Sequence, residues 1–203
     1  MTAALAALTV GGYFFNRHVL QSNFSVVVPG KVYRSGQPSM SQLQAWIPKY
    51  GIRSIVNLRG DTLDICRQEK AVADTMNVQT ISLALSSRHV VSKARLLRLI
   101  DAIDHAPRPM LMHCYFGVDR SGLAAMLAVL AEGKSDYQTA RRQLARPLLR
   151  VGSHKVHIND TLDPYEEYCR RNNLDPNQWE QFKLWARDVY QPGAAEDEPR
   201  AAE

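Results

Sequence analysis

The chain has 203 residues, 45% of them hydrophobic, which is the size and composition of one globular domain with its own core. The formal net charge is +5, and because residues 194–203 are acidic on balance, the remaining body is more basic still and favours anionic partners. The three cysteines, Cys66, Cys114 and Cys169, exclude a complete disulfide framework; a single Cys66–Cys169 bridge stays open, and at least one thiol is free.

Residues 1–22 form an apolar segment with no charged side chain before Arg17. We interpret it as a membrane anchor or the remnant of one; a secretion signal and a helix packed on the domain are the alternatives. As a helix, the first 15 residues would span roughly 22 Å, less than the roughly 30 Å hydrocarbon core of a bilayer. An anchor would make the protein membrane-associated on an undetermined side; without one it would be cytoplasmic.

Residues 23–190 are predicted to form one domain in which short apolar runs alternate with helical patterns. Strands are predicted at 31–33, 54–58, 78–83 and 110–113. Helices are predicted at 41–50, 62–76, 92–105, 121–131, 135–145, 162–172 and 176–190. This alternation favours parallel pairing with right-handed crossovers, hence an α/β fold with a central, mostly parallel sheet of four to five strands flanked by helices. Residues 191–203 are predicted to be disordered.

Basic side chains follow the predicted strands, at the sheet edge where α/β proteins bind their ligands. Arg34 follows the first strand, Arg59 and Asp61 follow the second, and Arg88 follows the third. We therefore expect Arg34, Arg59 and Arg88 to contribute to binding an anionic substrate.

The loop after the fourth strand, within the sequence HCYFGVDRSG at 113–122, has the composition of a phosphate cradle. Gly117 permits a tight turn, and the backbone N–H groups of Tyr115, Phe116, Gly117 and Val118 can point inward beside a helix N-terminus. The positive electrostatic potential of these N–H groups and of the helix N-terminus favours the thiolate form of Cys114, which is the nucleophilic form.

Three side chains around the cysteine have predicted supporting roles. The planar fork of Arg120 can clamp two phosphate oxygens. The Ser121 hydroxyl can stabilise the thiolate that leaves when a phosphocysteine is hydrolysed. His113 can hydrogen-bond loop carbonyls and so hold the shape of the loop.

The stretch HCYFGVDRS resembles the His-Cys-x5-Arg-Ser/Thr signature of the cysteine-dependent phosphatases, the protein tyrosine and dual-specificity group. VYRSGQPS and YGIRSIVNLRG resemble the opening of compact, atypical dual-specificity phosphatases, so that the resemblance covers roughly residues 32–145. It implies a protein tyrosine phosphatase-like fold and hydrolysis of phosphomonoesters through a phosphocysteine, with neither a metal nor a cofactor. Nothing in it suggests a nucleic-acid partner.

The general acid departs from the commonest family pattern. Many tyrosine phosphatases carry an aspartate on a separate mobile loop, but the corresponding segment here, SSRHVVSK, has no carboxylate. The leaving oxygen still needs a proton. We assign this role to Asp119, as in the myotubularin and Sac-type phosphatases that share the Asp-Arg-Ser/Thr element, with Asp61 as the runner-up. The alternative for Asp119 is an outward-facing brace paired with an arginine.

The substrate is expected to be a phosphotyrosine protein, with phosphoserine or phosphothreonine as an extension, because the loop contains no lysine. Tyr115 and Phe116 either line an aromatic slot or pack into the domain. A phosphoinositide or inositol phosphate is the alternative substrate, since the Asp-Arg element points toward lipids. A rhodanese-like sulfurtransferase and a phosphate-binding pseudoenzyme are the alternatives from other functional classes.

Overall fold

The computed structural model of the chain describes residues 22–144 and 157–192. The strands are β1 (Ser25–Val28), β2 (Val32–Ser35), β3 (Ser54–Asn57), β4 (Gln79–Ser82) and β5 (Met110–His113). The α-helices are α1 (Met40–Tyr50), α2 (Asp64–Thr75), α3 (Lys93–His105), α4 (Asp119–Ala131), α5 (Tyr137–Arg141), α6 (Asp163–Asn172) and α7 (Trp179–Leu184). A 3₁₀ helix spans Ile158–Leu162, and a π-helical turn spans Trp185–Val189.

The five strands form one sheet in the order β1-β2-β5-β3-β4. Strand β5 lies between β2 and β3 and is parallel to both, with His113 opposite Ser35 on one side and Asn57 on the other. β1, which was not predicted, is antiparallel to β2 and forms an edge. The predicted α/β fold with a mostly parallel sheet of four to five strands is confirmed.

Helices cover both faces of this sheet, and two apolar clusters hold them there. The β-strand alternation of side chains sends Val32, Val56, Met110 and Met112 into the larger cluster, where α3, α4 and the C-terminal helices pack. Tyr33, Ile55 and Leu111 point the other way, into a smaller cluster with α1 and α2. Burial on both faces is what makes these strands read as continuous apolar runs.

Two predicted helices differ from the structure by more than two residues at an end. The helix expected at 135–145 is the five-residue α5, which begins after Asp136, whose side chain accepts the Thr139 N–H. The helix expected at 176–190 is divided into α7 and the π-helical turn, where Tyr190 N–H donates to Trp185 O. The aromatic side chains of Phe182, Trp185 and Tyr190 in this region are buried in the core.

The predicted apolar segment 1–22 and acidic tail 191–203 lie almost entirely outside the described residues, so those predictions remain open. Across 22–144 and 157–192, no helix is long and apolar enough to cross a bilayer.

Candidate active site

The predicted phosphate loop connects the end of β5 to the start of α4, at the edge where the parallel strands end. Cys114 is the first residue after β5 and is only 3% exposed. Helix α4 begins at Asp119, two residues earlier than predicted, so Arg120 and Ser121 both lie in its first turn. The N-cap residue, Val118, has an apolar side chain that cannot accept a hydrogen bond from the N-terminal amides of α4. The N-terminus of a helix attracts an anion through its free N–H groups and its dipole.

Ser121 and Arg120, the two side chains predicted to act at the Cys114 sulfur, have different hydrogen-bond partners. Cys114 Sγ is 3.5 Å from Ser121 Oγ, and both residues are buried, so the hydroxyl can donate to a thiolate. Arg120 Nη1 donates to Leu85 O at 3.3 Å, which anchors the guanidinium beside the residues that follow β4. The structure thus places Ser121 directly against the nucleophile and Arg120 at the same strand-end edge; their catalytic roles stay predictions.

The loop packs directly on the backbone that follows β2, and two glycines allow this contact. Gly117 has φ +70°, and a Cβ there would lie 2.4 Å from Gly36 N. A Cβ on Gly36 would lie 2.8 Å from Tyr115 O. Gln37 N–H donates to Tyr115 O at 3.0 Å. The backbone of Gly36 and Gln37, directly after β2, is therefore a platform for the loop, and this close approach requires glycine at both 36 and 117.

Asn23 also holds the loop, and the sequence contained no signal for it. Its Nδ2 donates to Phe116 O at 3.1 Å and to Gly117 O at 2.9 Å, and the residue is 1% exposed. In a trans peptide the C=O and the following N–H point in opposite directions. By holding these two carbonyls, Asn23 directs the N–H groups of Gly117 and Val118 away from itself, as a cradle requires.

His113 does not contact loop carbonyls as predicted; its partner is a carboxylate on α2. His113 Nε2 lies 3.0 Å from Glu69 Oε1 and 2.9 Å from Oε2, with both side chains fully buried. Glu69 also accepts hydrogen bonds from Asn57 Nδ2 at 3.0 Å and from Gln37 Nε2 at 2.9 Å. The prediction failed because it considered only residues near His113 in sequence.

The rim of the loop carries exposed aromatic rings and one arginine. Tyr115 and Phe116 are 48% and 61% exposed and meet edge to face, with ring centroids 4.5 Å apart. The guanidinium of Arg59 lies 4.8 Å from the Tyr115 ring centroid, and its Nη1 donates to Gln37 Oε1 at 2.8 Å. The exposure of both rings argues against the interpretation that they pack into the domain, and the aromatic slot stays a prediction.

The other two predicted substrate-binding arginines differ in burial. The expectation that Arg34 follows its strand is wrong, because β2 continues through Ser35. Arg34 is 1% exposed, and its Nη1 donates to Gln143 O at 2.9 Å and contacts Gln143 Oε1 at 3.2 Å. Arg88 is exposed in the segment after β4, where its N–H donates to Ser86 Oγ at 3.1 Å.

The two candidate acids have different surroundings. Asp61 is exposed in the segment between β3 and α2. Asp119, the first residue of α4, is about a quarter exposed, and its Oδ1 lies 3.1 Å from His157 Nε2. The brace predicted as the alternative for Asp119 involved an arginine, whereas the observed partner is a histidine from a distant part of the chain. His157 gave no sign of this role in the sequence.

Cys66 and Cys169 are buried and free, so the structure does not contain the bridge between them that the sequence left open. Within 22–144 and 157–192 there is no group of three or more His, Cys, Asp or Glu side chains that could hold a metal ion.

A model of the family described as "DSP-PTPase phosphatase fused to NAD+ Kinase" matches residues 20–158. A comparison with curated proteins found no significant match. Among solved structures, the catalytic domain of the PP-IP phosphatase SIW14 from S. cerevisiae is 19% identical, with 77% of this chain and 96% of that chain covered and a TM-score of 0.54. TpbA from P. aeruginosa, in complex with pTyr, is 19% identical, with 81% and 91% covered and a TM-score of 0.54.

PTPMT1 is 13% identical, with 74% of this chain and 98% of that chain covered and a TM-score of 0.50. At these identities the solved structures establish the shared fold, and the family match establishes membership. The chain belongs to this family of dual-specificity-type protein tyrosine phosphatases, enzymes that hydrolyse phosphoesters.

Proposed function

We propose that the protein is a metal-independent phosphomonoesterase that works through a phosphocysteine and acts on phosphotyrosine in proteins. The observation that carries the proposal is the position of Cys114. It is a buried cysteine at the base of a loop that leads into an uncapped helix N-terminus, with a serine hydroxyl 3.5 Å from its sulfur.

In the first step, the Cys114 thiolate attacks phosphorus while the bond from phosphorus to the leaving oxygen breaks. The loop amides and Arg120 hold the phosphoryl oxygens, and Asp119 gives its proton to the leaving oxygen. In the second step, a water attacks the phosphocysteine and Asp119 takes the proton of that water. The S–P bond breaks, Ser121 Oγ stabilises the thiolate, and inorganic phosphate is released.

The rim supports an aryl ester as the substrate. Tyr115 and Phe116 present exposed ring surface beside the cradle, and an aromatic leaving group can pack against such rings. TpbA, which shares the fold, has been crystallised with phosphotyrosine. The uncharged side chains of Tyr115, Phe116 and Val118 also favour a substrate with a single phosphate over a densely charged one.

An inositol phosphate or phosphoinositide is the second candidate substrate. Arg59 supplies a cation at the rim, next to Tyr115, and SIW14, which shares the fold, is named as a PP-IP phosphatase. A panel of phosphotyrosine peptides, phosphoserine peptides, inositol phosphates and phosphoinositide vesicles distinguishes the candidates. A higher kcat/KM on the inositol compounds than on phosphotyrosine peptides would favour the second candidate.

The reaction class is tested with p-nitrophenyl phosphate in the presence of EDTA. We expect hydrolysis that vanadate inhibits and that Cys114→Ser abolishes. Hydrolysis that survives Cys114→Ser would refute the proposed function, and sulfur transfer from thiosulfate to cyanide would support the rhodanese-like alternative.

We also propose that residues 1–22 associate the domain with membranes. The test is flotation of the full chain with anionic liposomes, compared with a chain that begins at residue 23. Equal flotation of the two would contradict this proposal.

A further inference from the structure

We infer that His157 positions Asp119 for proton transfer in the phosphatase reaction. The inference deepens the proposed function and rests on it, because a proton donor is needed only if the protein cleaves a phosphoester. It adds a residue from outside the phosphate loop, 38 positions away from Asp119 in the sequence.

The His157 ring is held in place by the helix that it caps. Asn159 N–H donates to His157 Nδ1 at 3.2 Å, and His157 N–H donates to Asp160 Oδ2 at 2.8 Å. These reciprocal bonds form a capping box at the start of the 3₁₀ helix Ile158–Leu162. The ring therefore has one orientation relative to the 3₁₀ helix.

The capping bond also decides which ring nitrogen carries the proton. A backbone N–H can only donate, so Nδ1 must accept with its lone pair, and in the neutral ring the proton is on Nε2. Nε2 faces Asp119 Oδ1 at 3.1 Å and therefore donates to it. With Oδ1 engaged in this way, Oδ2 is the oxygen that carries the proton to the leaving group.

The 3₁₀ helix is joined to the segment where other tyrosine phosphatases would place a mobile acid loop. Ile158 N–H donates to Ser87 O at 3.2 Å, and Val91 N–H donates to Thr161 Oγ1 at 2.9 Å. Tyr190 Oη donates to Val91 O at 2.7 Å. The segment that lacks a carboxylate is thus tied down by hydrogen bonds, and the helix that ties it also supplies the partner of Asp119.

The fixed pair explains how the acid can be effective without a moving loop. Asp119 lies in the first turn of α4, adjacent to Arg120, so its backbone is fixed to the cradle. A general acid must stay within hydrogen-bond reach of the leaving oxygen, and catalysed proton transfer contributes about 10² to 10⁴ in rate. A hydrogen bond to Oδ1 restricts the rotation of the carboxyl group and so maintains that reach.

Two isosteric variants separate the two functions of His157. In His157→Asn the amide oxygen takes the place of Nδ1 and can accept the Asn159 N–H, but the donor to Asp119 is lost. In His157→Gln the amide nitrogen takes the place of Nε2, so the donor is kept. The substrates are p-nitrophenyl phosphate, whose leaving group needs little protonation, and phenyl phosphate, whose leaving group needs a proton.

We expect His157→Asn to lower kcat on phenyl phosphate by about tenfold or more and kcat on p-nitrophenyl phosphate by less than about threefold. His157→Gln should stay within about threefold of wild type on both substrates. In an Asp119→Asn background, His157→Asn should cause no further loss, since the two residues act through one proton transfer.

Equal losses on the two substrates, or a full additional loss in the Asp119→Asn background, would overturn the inference and leave a purely structural cap. Thermal unfolding checks the fold of each variant, and His157→Ser is a second cap-retaining variant if His157→Asn is unstable. Failure of the proposed function gives a separate result: the Cys114→Ser variant would hydrolyse p-nitrophenyl phosphate at the wild-type rate. The inference about His157 would then be wrong as well.

Discussion

Glu69 and His113 form a fully buried pair beneath the phosphate loop, with His113 Nε2 within 3.0 Å of both carboxylate oxygens. His113 is the residue directly before the nucleophile, and Glu69 comes from α2. Glu69 also accepts from Asn57 and Gln37, and Gln37 accepts from Arg59 at the rim. Through these hydrogen bonds, the buried Glu69 carboxylate connects His113, which precedes the nucleophile, with Arg59 at the rim.

Glu69→Gln should destabilise the domain and reduce catalysis. An amide presents one acceptor oxygen, so at least one of the three donors around Glu69 would face an N–H group. We expect the free energy of unfolding to fall by roughly 1–3 kcal/mol and kcat/KM to fall with it. Urea unfolding and steady-state kinetics measure the two effects. Glu180→Gln, at an exposed glutamate, is the matched control; equal behaviour of both variants would contradict the prediction.

Gly117→Ala should abolish most activity while the domain remains folded. The new methyl group would lie 2.4 Å from Gly36 N, so the loop must move off its platform. Gly133→Ala is a close control, because Gly133 has φ +63° but a Cβ there meets nothing within 4 Å. We expect a loss of kcat/KM of about 100-fold or more for Gly117→Ala and little change for Gly133→Ala. Similar losses in both would mean that backbone strain, and not the close approach, is responsible.

Asn23→Asp should weaken phosphate binding. The change keeps the shape of the side chain, but it replaces the Nδ2 donor with a carboxylate oxygen that faces Phe116 O and Gly117 O. The two carbonyls would then turn, and the N–H groups that follow them would leave the cradle. We expect the inhibition constant of vanadate to rise by about tenfold. An unchanged vanadate constant would show that the loop keeps its shape without Asn23.

Tyr115→Leu should raise KM for a phosphotyrosine peptide by about two- to tenfold, since the aromatic pair between the Tyr115 ring and the substrate ring would be lost, which is worth roughly 0.5–1.5 kcal/mol. The value of kcat should change less, because Tyr115 is at the rim. Tyr115→Phe keeps the ring and should behave like wild type. The comparison of KM for the two variants is the measurement, and an equal rise in both would assign the effect to the hydroxyl instead.

Alkaline pH should destabilise the domain through its buried tyrosines. Burial raises the pKa of Tyr190 from the usual 10.0 to about 12. Between these values Tyr190 keeps its proton in the folded state but loses it in the unfolded state. The free energy of unfolding is therefore unaffected by ionisation of Tyr190 below pH 10 and falls as pH rises toward 12. Urea unfolding across this pH range measures the slope of the free energy of unfolding against pH. Tyr190→Phe should make the slope shallower, although losing the bond to Val91 O lowers stability at every pH; an unchanged slope would contradict the assignment.

The local pattern of the chain was sufficient to predict most of the elements and the position of the loop between a strand and a helix. Apolar, β-branched-rich runs marked the four parallel strands, of which β2, β3 and β5 are buried along their whole length, and β5 was predicted at its observed bounds. Edge strand β1 was missed because SVVV is short and lacks alternation. The spacing of Cys114, Gly117 and Arg120 between a strand and a helix predicted a cradle, since these residues are neighbours in sequence and their geometry is set by one turn.

The tertiary structure alone decided which polar groups support that loop. Glu69 meets His113 across 44 positions, Asp119 meets His157 across 38, and Asn23 reaches Gly117 across 94. No local period encodes such contacts. They arise because parallel crossovers bring α2 under β5, β1 carries Asn23 to the loop, and the helices after α4 fold back onto its first turn. Arg34 was predicted to follow its strand and bind substrate, but β2 extends two residues further than predicted, so that Arg34 lies within the sheet.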